Sequence, residues 1–145
     1  MFKQEKKRNV LFICTHNSAR SQMAEGYLRA RFGDRFDAFS AGTTATSVHP
    51  LAIAVMKEIG IDISGQRSKQ ITEFAGREMD LVVTVCDSAR SACSFFPWAK
   101  ETLHVPFPDP VDKEVEGESR IDVFRKVRDE IVGWIDGYFA GGETG

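Results

Sequence analysis

Short apolar runs recur along this chain, separated by stretches in which apolar residues are spaced three or four positions apart. Two of the runs, 10–13 and 81–85, are rich in branched apolar side chains. Residues 36–40 show an alternating pattern, and 103–105 form a shorter candidate. Such runs and alternation are typical of β-strands, so the sequence predicts four strands.

Helical spacing of apolar residues fills the segments between and after these strands, with glycines, prolines and polar caps at the expected ends. In chain order the predicted helices run up to Gly33, from Pro50 to Gly60, over 71–75, from Asp87 or Ser88 to Pro97, and from Ser119 to near Gly141. Strands that alternate with helices favour a parallel sheet. We therefore expect an α/β fold in which a four-stranded parallel sheet is flanked by helices on both faces.

The composition indicates a single soluble domain over 1–145, and we expect a basic tail at 1–8 and the folded core at 9–140. Hydrophobic residues make up 42% of the 145 and charged residues 28%, which suits one globular core. The net charge of −2 gives no electrostatic basis for a nucleic-acid or membrane partner, and no apolar run reaches the length of a membrane span. The apolar run behind the basic tail is too short for a signal peptide, so we expect a cytoplasmic monomer.

The chain has three cysteines, Cys14, Cys86 and Cys93. An odd number of widely spread cysteines does not fit a disulfide framework. The chain has no Cys-x2-Cys pair and its three histidines are scattered, so we expect neither a metal nor a cofactor. Cysteines in a reducing compartment instead indicate nucleophilic or redox chemistry.

Cys14 stands at the end of the first predicted strand, and Arg20 opens the helical pattern that follows. Backbone N–H groups at such a strand–loop–helix junction form an anion site, which favours the thiolate form of a cysteine. The guanidinium of Arg20 is suited to a tetrahedral oxyanion. A buried structural cysteine is the alternative, but the polar neighbours favour a nucleophile beside an anion site.

Cys14, Cys86 and Asp109 each follow a predicted strand. The carboxyl ends of parallel strands meet at one edge of a sheet, where ligands bind. We therefore expect these three residues to converge, although the sequence spreads them over 95 positions. Asp109 precedes Pro110 in a stiff loop, where the pattern alone fits a turn aspartate as well as a general acid.

The segment from Cys14 to Glu25 resembles the signature loop of the low-molecular-weight tyrosine phosphatase superfamily. Within that superfamily the chain is most similar to the thioredoxin-coupled arsenate reductases, over about residues 9–139. The resemblance implies that Cys14 is the nucleophile, that Asp109 is the general acid, and that Ser21 donates a hydrogen bond to the sulfur. It also implies an oxyanion site made of Thr15, His16, Asn17, Ser18, Ala19, Arg20 and Ser21, with Asn17 holding the loop in its tight shape.

Cys86 and Cys93 decide which reaction is predicted. A seven-residue spacing on a regular helix separates them by about 10 Å, whereas a disulfide requires Cα atoms within about 7 Å. Spacing alone therefore indicates two independent cysteines. The resemblance implies instead that both are resolving cysteines in a three-thiol relay that begins at Cys14. That relay requires residues 86–98 to move, and we expect this segment to be the most mobile part of the fold.

The resemblance implies reduction of arsenate to arsenite, with phosphate or sulfate as competing anions and thioredoxin as the final reductant. A low-molecular-weight protein tyrosine phosphatase using Cys14, Arg20 and Asp109 is the main alternative, and a sensor without turnover is a further one. Val111 stands where related phosphatases usually carry an aromatic residue, which argues against phosphotyrosine.

Some members of the superfamily bind potassium near the loop. Glu25 and Ser40 match that pattern, but Lys69 falls at a ligand position and offers a cation of its own. We therefore doubt a potassium requirement. Ala19 replaces a second loop cysteine found in many relatives, and His16, where glycine is common, is interpreted as a turn residue.

Overall fold

The structure is a computed structural model, in which two long stretches and two short ones can be described. The described residues are 7–86, 96–97, 99–111 and 119–140. Cys93 lies outside them, and so do residues 87–95 of the helix predicted from Asp87 or Ser88 to Pro97 and most of the segment expected to be mobile.

The predicted strands and helices are confirmed within the described residues, with small shifts at their ends. The strands are β1 (Arg8–Cys14), β2 (Phe36–Gly42), β3 (Leu81–Thr84) and β4 (Glu101–His104). The helices are α1 (Arg20–Phe32), α2 (Pro50–Glu58) and α3 (Arg120–Phe139), with one 3₁₀ turn at Ile71–Phe74. No helix in this described part of the chain is long and apolar enough to cross a membrane.

Two boundaries differ from the prediction. Arg8 was assigned to the basic tail, but it begins β1 because it pairs with Phe36 of β2 and its N–H donates to the carbonyl of Arg35. β4 begins at Glu101, two residues before the apolar signal at Leu103, because pairing with β3 starts at Leu81. Backbone pairing, which carries no side-chain signature, extends both strands.

The four strands form one parallel sheet in the order β2-β1-β3-β4. Residues 10–14 of β1 and every residue of β3 are buried. Because successive side chains of a strand point to opposite faces, continuous burial means that both faces of the central strands are covered. The predicted fold class is confirmed.

Parallel pairing sets the carboxyl ends of the strands along one edge. Cys14 is the last residue of β1, and Ile13 pairs with Thr84 of β3. The same register, continued by two residues, sets Thr15 opposite Cys86. The chain after β4 returns to this edge, since the N–H of Phe107 donates to the carbonyl of Val85 at 2.9 Å.

Helix α2 is attached to α3 by an exposed cluster around Glu58. Both carboxyl oxygens of Glu58 accept hydrogen bonds from Arg125, and Arg128 donates a further one at 2.8 Å. The hydrogen bonds from Arg125, with a smaller contribution from Arg128, lower the pKa of Glu58 to about 2. The cluster joins the two helices whose N-terminal ends border the site described below.

Replacing Glu58 by Gln should lower the melting temperature at neutral pH. Because the folded-state pKa is depressed, this stabilisation is complete above the unfolded pKa, near pH 4.5, and is lost as the pH falls toward 2. The difference between the wild type and E58Q, measured by thermal unfolding from pH 7 to pH 3, should therefore shrink with acid. Glu130→Gln on α3 controls for the change in net charge, and a pH-independent difference for E58Q would contradict the assignment.

Candidate active site

The loop after β1 turns its carbonyl groups outward, away from Cys14. The carbonyls of Cys14, Thr15, His16 and Ser18 accept hydrogen bonds from backbone N–H groups of Thr43, Thr44, Thr46 and His49, at 2.8–3.3 Å. The C=O and N–H of a trans peptide point in opposite directions. The N–H groups that share these peptides, those of residues 15, 16, 17 and 19, are therefore directed to the other side of the loop.

The start of α1 adds to this set of donors. Its N-cap residue, Ala19, has no side chain that can accept a hydrogen bond from the first turn. Free N–H groups and the positive end of the helix dipole favour an anion at such a position. Cys14 itself is 3% exposed at the base of the loop. The loop can therefore hold a tetrahedral anion above a buried sulfur.

Gly42 allows the loop to lie directly against β2. A Cβ atom on Gly42 would be 2.6 Å from the carbonyl oxygen of Thr15 and 2.8 Å from the amide nitrogen of Asn17. Both are backbone atoms, so neither could move without moving the loop. The absence of a side chain at position 42 thus sets how closely the loop approaches the sheet.

Asn17 holds the loop from within, as predicted. It is fully buried and has a left-handed backbone conformation, with φ of 50°. Its Nδ2 donates to Oγ of Ser21 at 2.7 Å, and Oγ of Ser21 lies 2.9 Å from Sγ of Cys14. Because the serine oxygen accepts from Asn17, its own hydrogen is available for the sulfur. The predicted contact between Ser21 and Cys14 is present.

A buried ion pair supports Asn17 from outside the loop. The backbone N–H of Lys69 donates to Oδ1 of Asn17 at 2.8 Å. The side-chain ammonium of Lys69 lies 3.4 Å from Oε1 of Glu25. Glu25, whose side chain is 5% exposed, also accepts from Ser40 and Arg29. Two cations already contact this carboxylate, so the residues present do not fit a potassium ion.

Arg20 connects the loop to Asp109. One guanidinium nitrogen, Nη1, donates to the carbonyl of Phe107 at 3.1 Å, and Nη2 lies 3.4 Å from Oδ2 of Asp109. Oδ1 of Asp109 accepts from the N–H of Val111 at 2.9 Å. The structure thus brings Asp109, which follows β4, to the loop that follows β1. One of its carboxyl oxygens, Oδ1, is already hydrogen-bonded to the backbone two residues on.

Cys86 lies at the same edge. It is 3% exposed, and its Sγ is 3.4 Å from Oγ1 of Thr15, the residue after Cys14. The expected convergence of Cys14, Cys86 and Asp109 is therefore present in the structure. Cys93, the remaining predicted site residue, is outside the described residues.

A cavity of about 230 Å³ opens above the sulfur. It is lined by Cys14, His16, Ser18, Ala19, Arg20, Thr46, His49, Asp109 and Val111. His49 caps α2, since its Nδ1 accepts from the N–H of Leu51 at 3.1 Å, and its ring lies against Phe124. Partial burial and the nearby charge of Arg120 lower the pKa of His49, although Asp109 opposes this shift. The neutral imidazole carries its proton on Nε2, the nitrogen that Leu51 does not occupy.

Comparison with known proteins identifies the family. The profile of the low molecular weight phosphotyrosine protein phosphatase family matches residues 9–140. The chain belongs to this family. An arsenate reductase from Halalkalibacterium halodurans is 48% identical over 125 residues, which cover 86% of this chain and 90% of that protein.

Solved structures agree with this assignment. An arsenate reductase in its phosphate binding state matches with a TM-score of 0.79 and 32% identity, covering 92% of this chain and 98% of that one. A low molecular weight protein tyrosine phosphatase from T. tengcongensis matches with a TM-score of 0.75 and 32% identity, covering 93% and 99%. The resemblance inferred from the signature loop is confirmed, and with it the interpretation of the chain as an enzyme of this family.

Several residues of the site were not predicted from the sequence. Gly42, His49 and the backbone donors of 43–49 were assigned only to a strand end and a polar loop. The His49–Pro50 pair offered a signal, because a polar residue before a first-turn proline is a frequent N-cap. The donors of 43–49 offered none, since every backbone amide looks alike in sequence.

Replacing Gly42 by Ala should weaken the binding of inorganic phosphate by about 5- to 100-fold. The added methyl group must displace backbone of the loop, and such overpacking costs about 1–3 kcal/mol, where 1.4 kcal/mol is a factor of ten. Isothermal titration calorimetry measures the affinity. Gly65→Ala is the matched control, because a Cβ there meets no atom within 4 Å. Equal affinities for the two variants would contradict the role given to Gly42.

Proposed function

We propose that this chain is an arsenate reductase that uses Cys14, Cys86 and Cys93 in turn. The observation that carries the proposal is the second buried thiol, that of Cys86, whose Sγ lies 3.4 Å from Thr15 in the anion loop. A hydrolase acting on phosphate esters has no use for a thiol at that position. A reductase needs one, because two electrons must come from sulfur.

The first step forms a bond between Cys14 and arsenic. The loop N–H groups and Arg20 bind the oxygens of arsenate, and the thiolate of Cys14 attacks the As(V) centre. Asp109 delivers a proton to the departing oxygen, which leaves as water. Oδ2 is the carboxyl oxygen for this transfer, since Oδ1 is engaged by the N–H of Val111.

The second step is the reduction. The thiolate of Cys86 attacks Sγ of Cys14, a disulfide forms between them, and the electron pair of the sulfur–arsenic bond passes to arsenic, which leaves as arsenite. Attack at sulfur by a thiolate requires close approach to that sulfur. The register of β1 and β3, continued beyond the strands, supports this approach, because it makes Cys86 the lateral neighbour of Thr15.

The third step regenerates Cys14. Cys93 attacks the sulfur of Cys86, Cys14 is released as a thiol, and the Cys86–Cys93 disulfide is then reduced by an external dithiol, for which we propose thioredoxin. Such thiol chemistry suits the cytoplasm, and phosphate and sulfate are expected to compete with arsenate. The three steps up to the Cys86–Cys93 disulfide take place on a single chain, in keeping with a monomer.

A tyrosine phosphatase is the second candidate, favoured by the contact between Arg20 and Asp109 above Cys14. In ester hydrolysis, Cys14 would be the nucleophile, Arg20 would bind the anion and Asp109 would be the general acid. Against it, the described lining of the cavity contains no phenylalanine, tyrosine or tryptophan that would pack on a phosphotyrosine ring, and Val111 follows the Asp109–Pro110 pair.

Cys93→Ser separates these functions. With thioredoxin as the reductant, the variant should form about one arsenite per protein and then stop, because the Cys14–Cys86 disulfide is not resolved. Arsenite is quantified over time beside the wild type, which should turn over repeatedly. Repeated turnover by C93S at the wild-type rate would contradict the relay. A phosphatase would form no arsenite in either protein and would hydrolyse p-nitrophenyl phosphate equally well in both.

Asp109→Asn should slow the first step by about 10²–10⁴-fold, the usual contribution of a general acid. The amide can keep the turn with Val111 but cannot supply the proton, and because a negative charge beside Arg20 is removed, phosphate affinity should not fall. The rate is followed as arsenate-dependent loss of thiols in a single turnover. Asp34→Asn, an exposed aspartate between α1 and β2, is the matched control for charge. A rate for D109N equal to that of D34N would remove Asp109 from the reaction.

A further inference from the structure

Arg120 joins the start of the last helix to the loop of Asp109. It is the first residue of α3, and its Nη1 donates a hydrogen bond to the carbonyl oxygen of Pro110 at 2.8 Å. Pro110 follows Asp109 directly. A hydrogen bond from a charged donor is stronger than one between neutral groups, so this contact restrains the backbone next to the predicted acid.

The peptide group between Pro110 and Val111 is held at both of its ends. Its carbonyl accepts from Arg120, and its N–H, which belongs to Val111, donates to Oδ1 of Asp109 at 2.9 Å. Because a peptide group is planar, fixing the direction of the carbonyl also fixes the direction of the N–H. A guanidinium on the carbonyl also polarises the group and strengthens the N–H as a donor.

We propose that Arg120 is a positioning residue for Asp109 and acts through the Pro110–Val111 peptide group. The inference rests on the proposed function, in which Asp109 delivers a proton to the oxygen leaving arsenic. Arg120 orients the Pro110–Val111 peptide group, whose N–H binds Oδ1 of Asp109. Oδ2 of Asp109 then faces Arg20, 3.4 Å from Nη2. Arg120 thus determines which carboxyl oxygen can reach the bound anion.

The place of Arg120 in α3 supports a role other than helix stability. The N-terminus of a helix carries partial positive charge, so a cation at the first position is unfavourable there. The guanidinium also lies near enough to His49 to lower the pKa of that imidazole, and His49 lines the anion cavity. Arg120 therefore extends from α3 to the loop that carries Asp109.

The experiment compares Arg120→Gln with Arg120→Lys, which retains a cationic donor. R120Q should lower the single-turnover rate of arsenate-dependent thiol loss about tenfold, part of the contribution of a general acid. Its affinity for inorganic phosphate should stay within about twofold of the wild type. R120K should keep most of the rate. Hydrogen exchange of the Val111 amide, followed by NMR, should accelerate in R120Q because its carbonyl is no longer held.

Arg125→Gln is the matched control, an exposed arginine of the same helix that binds Glu58 and should leave both readouts unchanged. In an Asp109→Asn background, R120Q should cause no further loss of rate, since its effect passes through Asp109. An equal loss in both backgrounds, or unchanged exchange of the Val111 amide, would overturn the proposal.

The proposed function and the positioning role of Arg120 can be tested separately. If the wild type forms no arsenite, the proposed function is wrong. The same variants are then compared on p-nitrophenyl phosphate, with the Val111 amide again reporting on the peptide group. Loss of hydrolysis in R120Q that disappears in the D109N background would retain the positioning role, and equal hydrolysis by R120Q and R125Q would end it.

Discussion

The site depends on the direction of a few carbonyl groups. Backbone donors of residues 43–49 bind the carbonyls of the loop after β1 and thereby direct the N–H groups of the same peptides to the opposite side of the loop. This is possible because β2 pairs with β1 up to Gly42, and the chain that follows β2 lies against the loop. Gly42 is in close contact with the backbone of the loop. An anion site made of backbone donors is thus a consequence of strand pairing, and its chemistry follows from the residue that stands at its base.

A buried polar chain fixes the same loop from the other side. It runs from the ion pair of Glu25 and Lys69 to Asn17, and from Asn17 through Ser21 to the sulfur. Buried ion pairs often contribute little net stability, because desolvation offsets their attraction. Their value here is geometric, since they attach residues 66–70 to a loop that must keep one shape. The ammonium of Lys69 supplies the positive charge beside the carboxylate of Glu25, a position that a metal ion could otherwise take.

The sequence was most informative where structure is local. The apolar run before Cys14, the small residues at 18 and 19 and the helix from Arg20 all belong to one continuous stretch, so strand, loop and helix could be predicted together. The convergence of Cys86 and Asp109 on Cys14 followed from topology, because parallel strands end at one edge. Contacts between distant backbone groups could not be predicted. The donors to the loop carbonyls, the extra residues of β4 and the bond from Arg120 to Pro110 depend on amides and carbonyls that every residue has.

The pairing of Cys86 with Cys93 also could not be predicted from their spacing, because seven residues on a regular helix separate the two Cα atoms by more than a disulfide allows. The most direct test of the account is therefore to map the thiols by mass spectrometry after one round with arsenate and no external reductant. The account predicts one arsenite per protein, a free Cys14 and a disulfide between Cys86 and Cys93. Three free thiols after exposure to arsenate would contradict it.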